Sequence, residues 1–170
     1  MHDPVRITLP SMGGGVDEKL AFYGALARAL DALLRGETDP VANAANAASV
    51  IFHALPALNW AGFYFLRGSE LVLGPFQGRP ACVRIALGAG VCGSAAAARH
   101  SVLVPDVAAF PGHIACDPTS RSELVVPLLR GDTLLGVLDL DSPLLGRFDE
   151  LDRGGCEILV QTLVRHVIHS

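Results

Sequence analysis

Two aspartates stand in an otherwise apolar stretch in the second half of this chain of 170 residues. Asp139 and Asp141 are two positions apart, so on a regular β-strand both side chains project from the same face. Neighbouring carboxylates on an apolar strand repel one another and lose hydration. Because carboxylates are seldom buried without a partner, the pair predicts a functional pocket or a cation site, with a solvated strand end as the alternative.

Glu123 stands at the start of a second apolar stretch, and its place depends on how the two strands pair. A two-residue turn at residues 131–132 pairs Leu124 with Asp139 and directs Glu123 to the opposite face. A three-residue loop at residues 130–132 pairs Glu123 with Asp139, and Gly131 is compatible with both turns. A cluster of all three acids therefore requires the second register, or a bulge with the same result.

Four cysteines, Cys82, Cys92, Cys116 and Cys156, supply the other candidate chemistry. Cys116 lies in a segment of Gly, Pro, His and Asp that predicts a loop, where an exposed thiol is more expected than in a strand. Cys156 lies inside a helical pattern, so we expect it to pack in the core as a small apolar residue.

Zinc binding is a weaker alternative, because the sequence has neither CxxC nor HxxxH spacing. A zinc site of Cys82, Cys92, Cys116 and His113 is conceivable on residue type alone. For His113 and His100, a structural or surface role is favoured over catalysis, since neither has an identifiable partner.

Residues 88–94, GAGVCGS, form a glycine-rich segment at the predicted start of a short helix. Its spacing matches neither the dinucleotide fingerprint nor the P-loop, and no lysine is near. Backbone N–H groups at a helix start attract anions, so the segment could hold a small carboxylate instead of a phosphate.

Hydrophobic spacing predicts an α+β domain. Helical periodicity indicates helices at residues 16–34, 41–55, 91–99 and 149–167. Strand patterns indicate hairpins of 60–66 with 71–76 and of 123–129 with 133–140, and short strands at 82–85 and 102–104. Strands joined by tight turns imply a mainly antiparallel sheet with helices against it. Residues 1–15 predict a flexible arm, followed by one domain at 16–170.

Composition excludes several classes of protein. No unbroken apolar run is long enough to span a membrane, and the N-terminus lacks the pattern of a secretory signal. We therefore expect a cytoplasmic protein whose cysteines start as thiols. The formal net charge of −4 disfavours nucleic acid as the main partner.

Seven ordered blocks of the sequence resemble the free methionine-(R)-sulfoxide reductases. These blocks are NWAGFY at 59–64, LGPFQG at 73–78, PAC at 80–82, GVCG at 90–93, GHIACD at 112–117, SE at 122–123 and GVLDLDS at 136–142. The resemblance that these blocks carry extends from about residue 16 to the last residue given. The resemblance implies a GAF domain, with a central antiparallel sheet flanked by helices, and it agrees with the pattern of elements above.

The resemblance also implies roles for individual residues. Cys116 corresponds to the catalytic cysteine, Cys82 to its usual resolving partner, and Cys92 to a thiol that can assist. The implied substrate-binding residues are Trp60, Tyr64, Glu123, Asp139 and Asp141. The sequence departs from the family at Ala89, where relatives often have Arg or Lys, and in its longer N-terminal arm, but not at the chemical positions.

The implied reaction begins with attack of the Cys116 thiolate on the sulfoxide sulfur. A carboxylic acid kept neutral by its neighbours, Glu123 first and Asp141 second, would protonate the departing oxygen. Asp139 and the remaining carboxylate would bind the ammonium of the free amino acid, and Trp60 would contact its methyl–sulfur end.

The implied reaction ends with a cysteine sulfenic acid on Cys116, which condenses with Cys82 to form a disulfide. An external dithiol such as thioredoxin would then reduce that disulfide, and no metal, flavin or nucleotide is required. A homodimer is compatible with the resemblance, although no long apolar surface helix establishes it.

Two other functions are alternatives to this one. A GAF module that senses a cyclic nucleotide or another small molecule is disfavoured, because an acidic pocket repels phosphate. A cysteine redox switch would form a disulfide with peroxide but would release no methionine from the sulfoxide.

Overall fold

The computed structural model describes residues 8–12, 14–114 and 116–166. The helices and strands follow one another as α1 (Val16–Leu34), α2 (Pro40–Ala54), β1 (Trp60–Arg67), β2 (Glu70–Gly78), β3 (Arg84–Ala86), α3 (Gly90–Ala98), β4 (Val102–Val104), β5 (Ser122–Arg130), β6 (Thr133–Ser142) and α4 (Glu150–His166). A short 3₁₀ turn at Val107–Ala109 lies between β4 and β5.

The six strands form one sheet in the order β3-β2-β1-β6-β5-β4. Every neighbouring pair is antiparallel, which confirms the predicted α+β class and the antiparallel sheet. The short strand predicted at 82–85 is shifted, since β3 begins at Arg84. The first hairpin is also tighter than predicted, because Arg67 already pairs with Glu70.

One face of the sheet is covered by α2 and α4, and α1 packs against these two helices. Strand alternation sends Phe63, Leu124 and Leu138 into this core, where they pack among buried apolar residues of the three helices. Cys156 of α4 lies fully buried in the same core, as predicted from its helical spacing.

The ends of the helices follow from their sequence. Asp39 caps α2, where its carboxylate accepts hydrogen bonds from the N–H groups of Val41 and Ala42, and Pro40 occupies the first helical position. Within the described part of the N-terminal segment, Leu9 and Met12 pack against the helix-covered core, while residues 1–7 and 13 lie outside the described residues.

A buried acid ties α1 to α4 on the covered side. The Asp152 carboxylate accepts hydrogen bonds from Tyr23 Oη at 2.7 Å, Lys19 Nζ at 2.8 Å and Arg147 at 3.1 Å. The two cations and the hydroxyl replace the water that this carboxylate loses on burial. The sequence patterns did not single out this group.

The other face of the sheet carries α3 and the loops that surround a pocket. Trp60, Tyr64, Val125 and Val137 project from the sheet into this second core. No helix among the described residues is long and apolar enough to cross a membrane.

Candidate active site

The register of β5 against β6 brings the three predicted acids together. Arg130 pairs with Thr133, so the turn is the two-residue one, at Gly131 and Asp132. The register then shifts by one residue between Leu128 and Leu129, and Glu123 comes to lie opposite Asp141. A bulge has therefore cancelled the change of face that the short turn alone would cause.

Gly136 allows this bulge to lie against β1. A Cβ atom at position 136 would collide with the carbonyl oxygen of Tyr64, so the two backbones approach more closely than any other residue allows. The bulge leaves Leu134 on the pocket side and Leu135 on the helix-covered side. Beyond it, Asp139 and Asp141 face the pocket with Glu123.

Burial keeps the three carboxyl groups partly in their neutral forms. Loss of hydration, followed by the charge of Asp141, raises the pKa of Glu123 well above its usual range. Loss of hydration and the charge of Glu123 raise the pKa of Asp139. Loss of hydration and the charge of Asp139 likewise raise the pKa of Asp141. The cluster can therefore hold a proton at a pH where exposed carboxyl groups are ionised.

Cys116 lies beside Cys82 and lines the same pocket as the three acids. The backbone N–H of Cys82 donates a hydrogen bond to Cys116 Sγ at 3.4 Å, and both side chains are half-buried. Because a hydrogen bond from an amide stabilises a thiolate, this contact favours ionisation of Cys116. The same contact keeps the two cysteines close enough to react with each other.

The resting thiol of Cys116 is nevertheless protonated. Burial, followed by its hydrogen bond with the Cys82 side chain, raises the pKa of Cys116 to about 12, and the charge of Asp139 contributes to the rise. The amide of Cys82 lowers the pKa but does not outweigh burial. Reaction at neutral pH therefore needs a base, or a cationic substrate that offsets the acids, when it begins.

The loop after Cys116 is held by Asp117 and Asn59. Asp117 accepts hydrogen bonds from the N–H and hydroxyl of Thr119, and these lower the pKa of its carboxyl group. Asn59 Nδ2 donates to Ser120 Oγ at 2.9 Å, and the side chain of Ser120 partly offsets the rise in the pKa of Asp141. Asn59 belongs to the NWAGFY motif, but the motif alone does not reveal this positioning role.

Cys92 is buried more deeply than Cys82 and Cys116. It is buried on α3, and loss of hydration followed by the charge of Asp139 raises its pKa well above the usual range. Its Sγ and one oxygen each from Glu123 and Asp139 lie within 4.8 Å of one another. The sequence suggested a zinc site of Cys82, Cys92, Cys116 and His113. Among the described residues, the potential metal ligands that lie close together are instead Cys92, Glu123 and Asp139.

Trp60 forms an aromatic wall of the pocket. Its indole stacks on Phe76 with ring centres 5.3 Å apart and on Tyr64 at 5.9 Å. Gly62 leaves room for this arrangement, since a Cβ there would collide with both Trp60 and Phe76. The indole N–H donates to the carbonyl of Arg79 at 3.0 Å, which ties the wall to the loop before Cys82.

The glycine-rich segment supplies the start of α3 at the pocket edge. Ala89, Gly90 and Val91 line the pocket, and Gly93 N–H is the first to bond within the helix, to Ala89 O at 2.9 Å. Amide groups in a first helical turn have no intrahelical acceptor and attract anions. The binding of a small carboxylate at these amides remains a prediction from the sequence.

His113, for which the sequence favoured a structural or surface role over catalysis, lines the pocket. Its Nε2 lies 3.5 Å from Glu123 Oε2, and burial lowers its pKa, so the ring is neutral at pH 7. A signal was available, because His113 lies three positions before Cys116 in the same loop. His100 is exposed, as expected for a surface histidine.

These groups can together carry out thiol chemistry on a small zwitterion. The pocket offers thiols, a proton held among carboxyl groups, acids for a cation and helix amides for an anion. It has an aromatic wall for an apolar group, and it lies on one side of a single sheet.

Comparison with known proteins assigns the class of the domain. The family model for the GAF domain matches residues 29–168, so the chain is a GAF-domain protein. A structure named as a GAF sensor protein from Burkholderia vietnamiensis is 57% identical, with a TM-score of 0.84 over 87% of this chain and 94% of that one.

Two further matches carry a more specific name. The free methionine-R-sulfoxide reductase of Escherichia coli is 48% identical over 145 residues, which are 85% of this chain and 88% of the relative. The structure of free methionine-R-sulfoxide reductase from Neisseria meningitidis with its substrate is 42% identical, with a TM-score of 0.87 over 95% of this chain and 96% of that one. The chain belongs to the family of the free methionine-R-sulfoxide reductases.

Proposed function

We propose that this chain reduces free methionine-R-sulfoxide to methionine and that Cys116 is its nucleophile. The observation that carries the proposal is the hydrogen bond from the Cys82 amide to Cys116 Sγ, beside a buried cluster of acids. A small-molecule sensor needs no adjacent pair of thiols at its binding pocket. The choice of the R epimer comes from the family alone.

Substrate binding would use both charged ends of the free amino acid. The ammonium lies against Asp139 and a second carboxylate, while the carboxylate lies at the first turn of α3 near Gly90 and Val91. The methyl–sulfur end contacts Trp60, with Tyr64 beside it. A methionine sulfoxide within a polypeptide has neither charged end, so it loses both sets of interactions.

The bound ammonium would also prepare Cys116 for reaction. Burial is the main cause of the raised pKa of the thiol, and the positive charge of the ammonium counteracts the further contribution of Asp139, so ionisation becomes easier once substrate is present. The thiolate attacks the sulfoxide sulfur, and a protonated carboxyl group, Glu123 first and Asp141 second, donates to the oxygen. The hydroxyl passes to Cys116 Sγ, and methionine leaves with its sulfur reduced by two electrons.

Recycling would use Cys82 as the resolving thiol. Its thiol attacks the sulfenic acid of Cys116, one S–S bond forms, and the hydroxyl leaves as water with the Cys82 proton. An external dithiol then reduces the disulfide and is itself oxidised, a role that thioredoxin fills in a reducing cytosol. Cys92 is buried among acids, which suits it to assist this step more than to meet an external reductant.

The test is turnover of each epimer of free methionine sulfoxide with thioredoxin, thioredoxin reductase and NADPH. We expect NADPH oxidation with the R epimer only, together with an equal amount of methionine, and no oxidation with a peptide-bound sulfoxide. Binding of either epimer by fully reduced protein without methionine release would favour the sensor instead. A disulfide formed only with peroxide would favour the redox switch.

A further inference from the structure

We propose that the reduced protein binds one zinc ion at Cys92, Glu123 and Asp139, and that this ion competes with the substrate. The three side chains come from α3, β5 and β6, and all three are buried. The consequence for catalysis rests on the proposed function, whereas the binding of zinc does not.

The geometry of the three ligand atoms suits zinc. Cys92 Sγ and one oxygen of each acid lie within 4.8 Å of one another. With usual bond lengths, a tetrahedral zinc ion holds sulfur and oxygen ligands about 3.4 to 3.6 Å apart, so each atom moves inward by less than about 1 Å. The backbones of the two strands are already fixed by the β5–β6 ladder, so only side chains need to move.

A second observation points to a missing ligand at the same place. Asp139 Oδ1 is buried and has no hydrogen-bond partner among the described residues, although Asp139 is only 7% exposed. An unpartnered carboxylate oxygen of this kind is costly unless a cation occupies the site for part of the time. The substrate ammonium is one such cation, and a metal ion is another.

The donor set selects the class of metal. One thiolate and two carboxylates suit a borderline-soft ion such as Zn²⁺, whereas Mg²⁺ and Ca²⁺ prefer oxygen ligands alone. On binding, the S–H proton of Cys92 and any carboxyl proton pass to solvent, and a zinc–sulfur bond forms. His113 Nε2, 3.5 Å from Glu123 Oε2, or a water molecule completes the tetrahedron.

Zinc and substrate would exclude one another because they use the same carboxylates. With the ion in place, Glu123 no longer has a proton to donate and Asp139 no longer attracts an ammonium group. Zinc therefore blocks both the binding and the protonation step, without contacting Cys116.

The experiment measures metal binding directly, on the reduced chain of 170 residues after removal of small thiols. Cobalt serves as a spectroscopic probe, because a cobalt–thiolate bond gives a charge-transfer band in the near ultraviolet. The Cys82→Ser, Cys116→Ser double variant retains Cys92 and Cys156. We expect it to keep the band with one ion per chain, and a further Cys92→Ser change to remove the band.

Titration with zinc measures the affinity of the parent protein and of each variant. Asp139→Asn is expected to weaken zinc binding at least tenfold, while Cys156→Ala, which removes the thiol outside the pocket, leaves it unchanged. Mg²⁺ is expected not to compete with zinc for the site.

Loss of the cobalt band in the double variant, or zinc affinity that depends on Cys82 and Cys116 but not on Cys92, would overturn the proposal. Folding of each variant is checked by circular dichroism, and Asp139→Asn provides a test should Cys92→Ser not fold.

Activity is tested separately, by methionine release in a single turnover of prereduced protein. Zinc is expected to slow the release, and a higher concentration of methionine sulfoxide is expected to restore it. Full activity with no zinc bound at any pocket residue would refute the zinc site and leave the proposed function intact. Stoichiometric zinc binding by a protein that releases no methionine even without zinc would support the zinc site and refute the proposed function.

Discussion

Glu123 lies directly opposite Asp141 across the β5–β6 ladder, at the end of the strands farthest from their connecting turn. Directly opposed side chains of like charge destabilise a sheet, and burial adds to the cost. The chain tolerates the arrangement because burial raises the pKa of each acid, so the pair can retain a proton and need not carry two negative charges. This retained proton is what a reaction that expels an oxygen atom requires.

Replacing Cys116 tests the nucleophile. Cys116→Ser is expected to reduce turnover of methionine-R-sulfoxide by more than about a thousandfold, because a hydroxyl is a much poorer nucleophile at neutral pH. NADPH oxidation with thioredoxin and its reductase measures the effect. Cys156→Ala serves as the control, since that thiol lies in the helix-covered core, and it is expected to stay within about threefold of the parent rate. Undiminished turnover in Cys116→Ser would disprove the assignment.

Replacing Cys82 separates the chemical step from recycling. Cys82→Ser keeps the backbone amide that contacts Cys116 Sγ, so we expect release of one methionine per chain at close to the parent rate. Steady-state turnover with thioredoxin is expected to fall by more than about tenfold, since the sulfenic acid lacks its partner. The two rates are measured by rapid quench and by NADPH oxidation. Equal losses in both would count against a resolving role.

Neutralising Asp139 tests recognition of the ammonium. Asp139→Asn is expected to raise the KM for free methionine sulfoxide by about 10- to 100-fold, the usual effect of losing a buried charge-assisted hydrogen bond. Asp132→Asn, at the exposed turn of the same hairpin, is the matched control and should leave KM unchanged. A kcat that falls while KM stays constant would assign Asp139 to proton transfer instead.

The buried acids should make the stability of the protein depend on pH. The folded-state pKa values of Glu123 and Asp139 are raised, so the folded chain binds more protons than the unfolded chain between about pH 4 and those higher values. The stability that these groups contribute is present below the unfolded pKa and is lost as the pH rises through the folded pKa. Asp139→Asn is therefore expected to raise Tm at pH 8 by roughly 2 to 6 °C and to have a smaller effect at pH 5. Calorimetry at the two pH values measures this, and an equal shift at both would exclude the linkage.

Gly136 is expected to be essential to the register of the site. Gly136→Ala places a Cβ against the carbonyl oxygen of Tyr64 and should destabilise the fold by about 2 to 3 kcal/mol, with a matching loss of activity. Gly154→Ala is the control, because a Cβ there meets open space on α4 and alanine favours the helix. Thermal unfolding of both variants decides the point. Equal Tm values for the two would show that the bulge does not depend on glycine.

The sequence by itself determined which helices and strands form and which residues of a strand project from the same face. Because side chains alternate along a strand, the spacing of Asp139 and Asp141 sufficed to place both in one pocket. Helical spacing likewise sufficed to bury Cys156, since it depends only on local periodicity. The resemblance to a known family supplied the remaining candidates, including Tyr64.

Only the tertiary structure decided whether Glu123 belongs with those aspartates. The turn alone would have sent it to the helix-covered face, and the bulge at Leu135 reversed that outcome, through a contact between Gly136 and β1 that no local pattern reveals. The contact of Cys82 with Cys116, 34 positions apart, and the approach of His113 to Glu123 arise in the same way. Both contacts depend on loops that pack against the sheet, and this packing brings together residues that are distant in the sequence. Hydrophobic periodicity, in contrast, depends only on residues that are close in the sequence.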